Sequence, residues 1–365
     1  VKRLVLLLLL FAAPAHAAGP VRSADGFATI EAAIAYVSAL GGGVVTLDSL
    51  STYDTTTSPS WTPPLIVPAN VIIRGKGPEA TTLFTTVAGD SNSIQLKGSY
   101  ASLEDLTVDG LGTSGTARSV AIGDTGAVVK WNRLENVVIS NAPGYGIYVF
   151  GFDDSSATYT ILTSYKNVLV DAVNTSLYDV KLGTGATTQW FTNCSFEGAG
   201  SGVLDKSIKA VFRGCVFEGT TDRVEYTASD ATAPLLEGCH FEHGASTAAN
   251  WFINTTGVYG YGLAVRDCIF IRTAISPPRI LKTSATGSAR GLILSGLTAY
   301  TLAPLPTNTD DIVLSNATDD AVIIGGIRID TSVTQTDGLK ITATEKTQFF
   351  PLQYGNWPLV HVKGQ

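Results

Sequence analysis

The chain has 365 residues, of which 45% are hydrophobic and 15% charged, with 37 glycines and a formal net charge of −7. Low charge with ample apolar content excludes a disordered chain. The acidic balance and the lack of a long Lys/Arg run exclude nucleic-acid binding through a basic face.

Lys2 and Arg3 precede the apolar run Leu4 to Ala13, and Ala15-His16-Ala17 has the small-x-small form of a cleavage site. This pattern predicts a signal peptide over residues 1–17, of a bacterial kind. The run is short for a transmembrane span. The expectation is a protein secreted to the extracellular or periplasmic space, free of the membrane after cleavage. Next, Ile30, Ala33, Ile34, Val37 and Leu40 lie at helical spacing and Gly41-Gly42-Gly43 ends the run. They predict an amphipathic helix over about 29–40. Short strands follow at Val44 to Leu47 and Val71 to Arg74.

From residue 103 the sequence repeats itself. Seven segments align without gaps, beginning at Leu103, Leu134, Tyr165, Phe191, Phe212, Leu236 and Val265; the first reads Leu-Glu-Asp-Leu-Thr-Val-Asp and the fifth Phe-Arg-Gly-Cys-Val-Phe-Glu. Their third positions are 31, 31, 26, 21, 24 and 29 residues apart. Positions one, four and six are nearly always apolar. Position three is Asn, Asp or Gly, the residues that tolerate a left-handed backbone. Each repeat therefore predicts strand, tight corner, strand, with sides alternating along each strand. No repeat can bury its apolar residues alone, whereas a stack makes one continuous core. A β-propeller would need a longer and more even period. The reading is all-β: a right-handed parallel β-helix over residues 18–300, capped at its N-terminal end by the helix. Residues 301–365 predict irregular last rungs or a cap: a proline-bearing loop at 301–309, strands near 312–314, 322–324 and 339–341, and an aromatic tail.

Thr29-Ile-Glu-Ala-Ala-Ile34, Gly41-Gly-Gly-Val-Val-Thr46 and Val71-Ile-Ile-Arg-Gly-Lys-Gly77 resemble the opening of the pectate-lyase-like superfamily. The stacked Asn-x-x-Phe segments are similar to its β-helix repeats. The resemblance covers about 25–300 and implies the fold. It does not fix an activity, because polysaccharide lyases, glycoside hydrolases, epimerases, tailspikes and adhesins share that fold. The Asp153-Asp154 pair is similar to the Asp-Asp of polygalacturonase-like hydrolases. Their Asn-Thr-Asp one rung earlier has no counterpart, and Arg328-Ile329 is followed by Asp330, not Lys.

Aligned positions become columns spaced about 4.8 Å apart. Position four holds Cys194, Cys215, Cys239 and Cys268, all the cysteines of the chain. Four thiols in a line cannot form a tetrahedral zinc site, and parallel side chains have the wrong torsion for a disulfide. The expectation is buried free thiols, with one strained bridge as the alternative in an oxidising compartment. Position six holds Phe196, Phe217, Phe241 and Phe270, an expected aromatic ladder.

Position seven holds Asp109, Ser140, Asp171, Glu197, Glu218, Glu242 and Ile271. Neighbouring rungs would set carboxylates about 5 Å apart and alternate rungs about 10 Å, bracketing both glycosidase geometries. The column could also hold Ca²⁺, a cation often used by lyases of the superfamily. The competing reading is a solvated turn column, favoured by the glycines that follow. His240 and His243 adjoin Glu242 and suit acid–base work. With Asp222 and Arg223 in the preceding loop, Glu218, Glu242, His240 and His243 form the first candidate catalytic set. A second candidate, for substrate binding, is Tyr145, Tyr148, Asp153 and Asp154, where aspartates adjoin aromatic rings; a capped turn is the competing reading.

Two functions follow. One is a secreted enzyme, a polysaccharide lyase or glycoside hydrolase acting on an extracellular glycan. The other is a non-catalytic adhesin, surface fibre or glycan-binding module. The partner is a polysaccharide in both, and the oligomeric state, monomer or homotrimer, stays open.

Overall fold

The structure is a computed structural model. It describes residues 19–300 apart from segments 87–90, 111–115, 156–157, 173–176, 199–200, 220–222, 228–233, 244–250, 256–261, 273–278 and 284–291. At 172, 201, 243, 272, 279 and 282–283, and in short strands beyond 300, the backbone alone is described. The expected leader, the loop expected at 301–309 and most of the aromatic tail lie outside the described residues.

The corner residue organises everything else. Asp105, Asn136, Asn167, Asn193, Gly214, Gly238, Asp267 and Gly296 have φ between 52° and 64°. That left-handed conformation costs most side chains about 1–2 kcal/mol, and short polar side chains or glycine tolerate it best. Here the side chains also bond rung to rung. Asn136 Nδ2 donates to Asp105 Oδ1 at 2.9 Å, and Asn167 Nδ2 donates to Asn136 Oδ1 at 2.8 Å.

With the corners aligned, the repeats are in register. Leu103, Leu134, Tyr165, Phe191, Phe212, Leu236 and Val265 are successive parallel partners. The same column extends to Ile73 before them and Leu294 after them. Leu294-Ser-Gly-Leu-Thr-Ala-Tyr300 is an eighth copy that the alignment missed, with Ala299 in place of the larger apolar residue at position six. Beyond it the strands Val322–Gly325 and Arg328–Thr331 continue the pairing. Residues before each corner form a first face and residues after it a second, joined in one large sheet; a separate sheet makes the third face. On that third face Ile94, Val120, Ile147, Val180, Val203, Val224, Ile253 and Leu281 are register partners with their side chains fully buried. The molecule is a right-handed parallel β-helix.

The cap is α1, Ile30–Ala39. Thr29 begins it, its Oγ1 accepting from the Ala32 amide at 3.1 Å, as an N-cap hydroxyl should. Ile30, Ala33, Ile34 and Val37 join the same core as the first strands. Leu40, expected on this buried face, is instead the C-cap and 52% exposed, because the glycines at 41–43 turn the chain away there. Among the described residues no helix is long and apolar enough to cross a membrane.

Two aromatic stacks run through the core. Phe217 lies 4.7 Å from Phe241, which lies 4.8 Å from Phe270, with planes within 13° of parallel. A second stack, Tyr165–Phe191–Phe212, has spacings of 4.1 and 4.7 Å. The four cysteines between them are buried and free. Each thiol donates to a backbone carbonyl, Cys268 to Arg266 at 3.2 Å being the shortest. Sulfur here is polarisable filling with a weak donor that finds an acceptor.

One inward column turns polar. Leu182 is followed by Asp205, Tyr226 and Thr255 on successive rungs. Asp205 is fully buried; its Oδ1 accepts from the Ser207 amide and hydroxyl at 2.8 and 2.6 Å, while Oδ2 has no partner. Burial pushes its carboxyl up to about 6 against the pull of Ser207.

Two predictions follow from this core. Phe241→Ala opens a cavity between two stacked rings and costs about 3–5 kcal/mol in chemical denaturation; a cost below about 1 kcal/mol would contradict a rigid ladder. Asp205 binds its proton more tightly when folded than when unfolded. Its stabilising contribution is therefore complete below the unfolded pKa of about 4 and is lost as pH rises through about 6. That window is worth about 3 kcal/mol at roughly 1.4 kcal/mol per unit. Asp205→Asn keeps the acceptor for Ser207 and should flatten melting temperature between pH 4 and 6 while raising it above pH 6. An unchanged pH profile would contradict this.

Candidate functional site

The acidic column exists as a column. Asp109, Ser140 and Asp171 are register partners on the second face. The Glu197 amide donates to Val170 and the Glu218 amide to Phe196, each continuing the stack by one rung. Burial first, then the charge of Glu197, raises the Asp171 carboxyl. Burial, Glu197 and Glu242 raise Glu218, opposed by His240. His240 Nε2 stands 3.5 Å from Glu242 Oε2. Glu218, Glu242 and His240 are thus brought together on a half-exposed surface.

The rest of that candidate set is not gathered there. Arg223 is fully buried, and its Nη1 donates to the backbone carbonyl of Glu218 at 2.7 Å. It presents no guanidinium to the surface beside His240. Asp222 and the His243 side chain lie outside the described residues. Among the described residues no three His, Cys, Asp or Glu groups are close enough to hold a metal ion.

The second candidate is far more connected. It lies on the outer side of the third face, where the strand Tyr145–Val149 ends in a turn through Gly151 to Asp154. Asp154 builds that turn: Oδ2 accepts from the Gly151 amide at 2.9 Å, and Oδ1 accepts from the Tyr148 hydroxyl at 2.6 Å. Asp153 reaches the next rung, its Oδ1 accepting from the Thr184 amide at 3.0 Å. Its Oδ2 lies 3.3 Å from Lys181 Nζ and 3.7 Å from Lys206 Nζ. Lys181 also donates to the Tyr148 hydroxyl at 2.6 Å.

Tyr148 is the centre of this cluster. The residue is only 4% exposed. Arg118 covers one side with Cζ 4.0 Å from the ring centroid, Lys181 Nζ stands 4.3 Å away, and Tyr145 packs edge-on at 5.3 Å. Burial raises the phenol well above its ordinary pKa, and the bond to Asp154 adds to that. Tyr148 is therefore a neutral donor at neutral pH. Burial also raises Asp153, but Lys181, the Thr184 amide and Lys206 outweigh it, so this carboxyl sits below its ordinary value.

The residues sequence reading missed are Arg118, Lys181 and Lys206. Ala121, Tyr148 and Lys181 are successive outward partners on the third face. The inward pairs Ile147/Val149 and Val180/Leu182 flank Tyr148 and Lys181 and carried a usable signal. Three cations against two carboxylates leave a rim that favours an anion. A hydroxyl held between an ammonium donor and a carboxylate acceptor can pass a proton either way.

No family model and no curated protein matches the chain. Solved structures do. The A-module of the Azotobacter vinelandii mannuronan C-5 epimerase AlgE4 is 15% identical, with 94% of this chain and 100% of that one aligned and a TM-score of 0.53. PfbA, a surface adhesin of Streptococcus pneumoniae, is 12% identical over 91% of this chain and 90% of that one, with a TM-score of 0.54. The chain shares its parallel β-helix solenoid with carbohydrate-active enzymes and with adhesins alike.

Proposed function

We propose that this protein is a secreted enzyme acting on an anionic, uronate-bearing polysaccharide, with its reacting centre at Tyr148. The observation that carries the reading is the Tyr148 hydroxyl, held between Lys181 Nζ and Asp154 Oδ1 at 2.6 Å on each side. Arg118, Lys181 and Lys206 supply the positive rim that a sugar carboxylate needs. Neutralising that carboxylate acidifies the C–H next to it, which is the bond a lyase or an epimerase must break. Tyr148 then takes the proton from that carbon as its own passes to the Asp154 carboxylate, or delivers its proton while Lys181 stabilises the phenolate left behind.

This chemistry suits the site better than hydrolysis. A glycosidase needs two carboxyl groups free to flank the scissile bond. Asp154 is engaged by Gly151 and Tyr148, and Asp153 by Thr184, Lys181 and Lys206. The printed name of the AlgE4 module, a mannuronan C-5 epimerase, agrees with uronate chemistry, while PfbA is named an adhesin; at these identities each likeness carries the fold alone. The non-catalytic module is the second reading, favoured by how little of Tyr148 is exposed in this state.

The test is incubation with polygalacturonate, polymannuronate and polyguluronate in deuterated water. Ultraviolet absorbance reports unsaturated uronide, and NMR reports exchange at the carbon next to the carboxylate. The expected result is turnover or exchange on at least one polymer, reduced about 10²–10⁴-fold in Tyr148→Phe. Glu218→Gln should stay within about threefold of the parent, since its carboxylate lies in the separate second-face column. Full activity in Tyr148→Phe would overturn the assignment. Binding without exchange on every polymer would favour the adhesin-like reading.

A further inference from the structure

A second surface lies on the first face, away from the Tyr148 cluster on the third. It is a cleft of about 510 Å³ lined by Tyr100, Trp131, Leu162, Trp190, Arg74 and Arg133 among others. Its floor is set by register: Ser102, Arg133, Ser164 and Trp190 are outward partners on successive rungs. Four rungs span about 14 Å, room for a short oligosaccharide.

Three features distinguish this cleft from ordinary sheet surface. Tyr100, Trp131 and Leu162 have φ of 62°, 62° and 58° on consecutive rungs. Bulky residues avoid that conformation, and elsewhere in the fold such corners are filled largely by Asn, Asp or Gly. Local strain of this kind is retained where something other than folding needs the side chain. Next, Trp190 leaves 39% of its surface in solvent at the open end of the cleft. Last, the two arginines are locked. Glu104, nearly buried, accepts from Arg74 Nη2 at 2.6 Å and Nε at 2.9 Å and also pairs with Arg133, whose Nη1 reaches Glu135 at 3.1 Å. Glu135 is shared with Lys166 Nζ at 2.8 Å, so the three cations exceed the two carboxylates by one charge, and both guanidinium groups, partly exposed, line the cleft.

We infer that this cleft is a polysaccharide-holding site, taking a stretch of pyranose rings by stacking on Trp131, Trp190 and Tyr100 and by hydrogen bonds from Arg74 and Arg133. Rings with few fixed polar groups are the usual lining of a small-ligand cleft. It goes beyond the proposed function by adding a holding site on a different face; from that reading it takes only the polysaccharide class.

The test uses Trp131→Asn and Trp190→Thr, alone and combined. Asparagine suits the left-handed corner better than tryptophan, so folding is kept or improved while the ring is lost. Retardation in native gels cast with polygalacturonate or polymannuronate reads binding without requiring turnover. The expected result is at least tenfold weaker retention for the double variant and a blue-shifted tryptophan emission on titrating the parent with oligouronides. Unchanged retention of the double variant overturns the inference, as does a parent that no gel polymer retards. Retention intact but no turnover would sink the Tyr148 proposal and leave this one standing.

Discussion

The left-handed corner at the third position of each repeat is the constraint on which the structure depends. It turns the strand between two faces, and it fixes which residues of the next rung lie directly above. The hydrogen bonds from Asn167 to Asn136 and from Asn136 to Asp105 run along the same axis as the sheet bonds. A slip of one residue on any rung would break that ladder and turn the apolar positions outward. Register therefore propagates from corner to corner, and both aromatic stacks inherit their spacing from it.

The same regularity makes exceptions visible. Asp205 interrupts an apolar column and remains a fully buried acid with one unpartnered oxygen. Trp131 and Tyr100 occupy left-handed corners that suit asparagine better. Tyr148 is an outward residue on a sheet face, yet it is nearly covered by Arg118 and Lys181. Two of the three line the surfaces proposed for the reaction and for polymer holding.

The first two faces were readable in the sequence because physical chemistry restricts the corner to a few residue types. Asn136, Asn167 and Asn193 announce their rungs, and the Cys and Phe columns then follow. The third face has no such marker. Its strands sit at variable distances from the corners, so only the short apolar alternation of Ile147/Val149 and Val180/Leu182 marks Lys181 as the partner of Tyr148, and the cationic rim was missed. Tyr145, Tyr148, Asp153 and Asp154 were legible as a group because they are adjacent in sequence. Arg223 illustrates the opposite failure. A charged residue in a loop reads as exposed, but its guanidinium is fully buried against the Glu218 carbonyl. Sequence patterns report which side of a strand a residue takes, and they say little about loops that fold inward.

The account thus sets the proposed chemistry on the third face, polymer holding on the first, and a half-exposed acidic turn column on the second. The most direct measurement is a crystal structure of the protein soaked with an oligouronide. The account predicts a sugar carboxylate between Arg118, Lys181 and Lys206, with the carbon beside it facing the Tyr148 hydroxyl. An oligouronide bound along Glu197, Glu218 and Glu242, with the Tyr148 site empty, would contradict it.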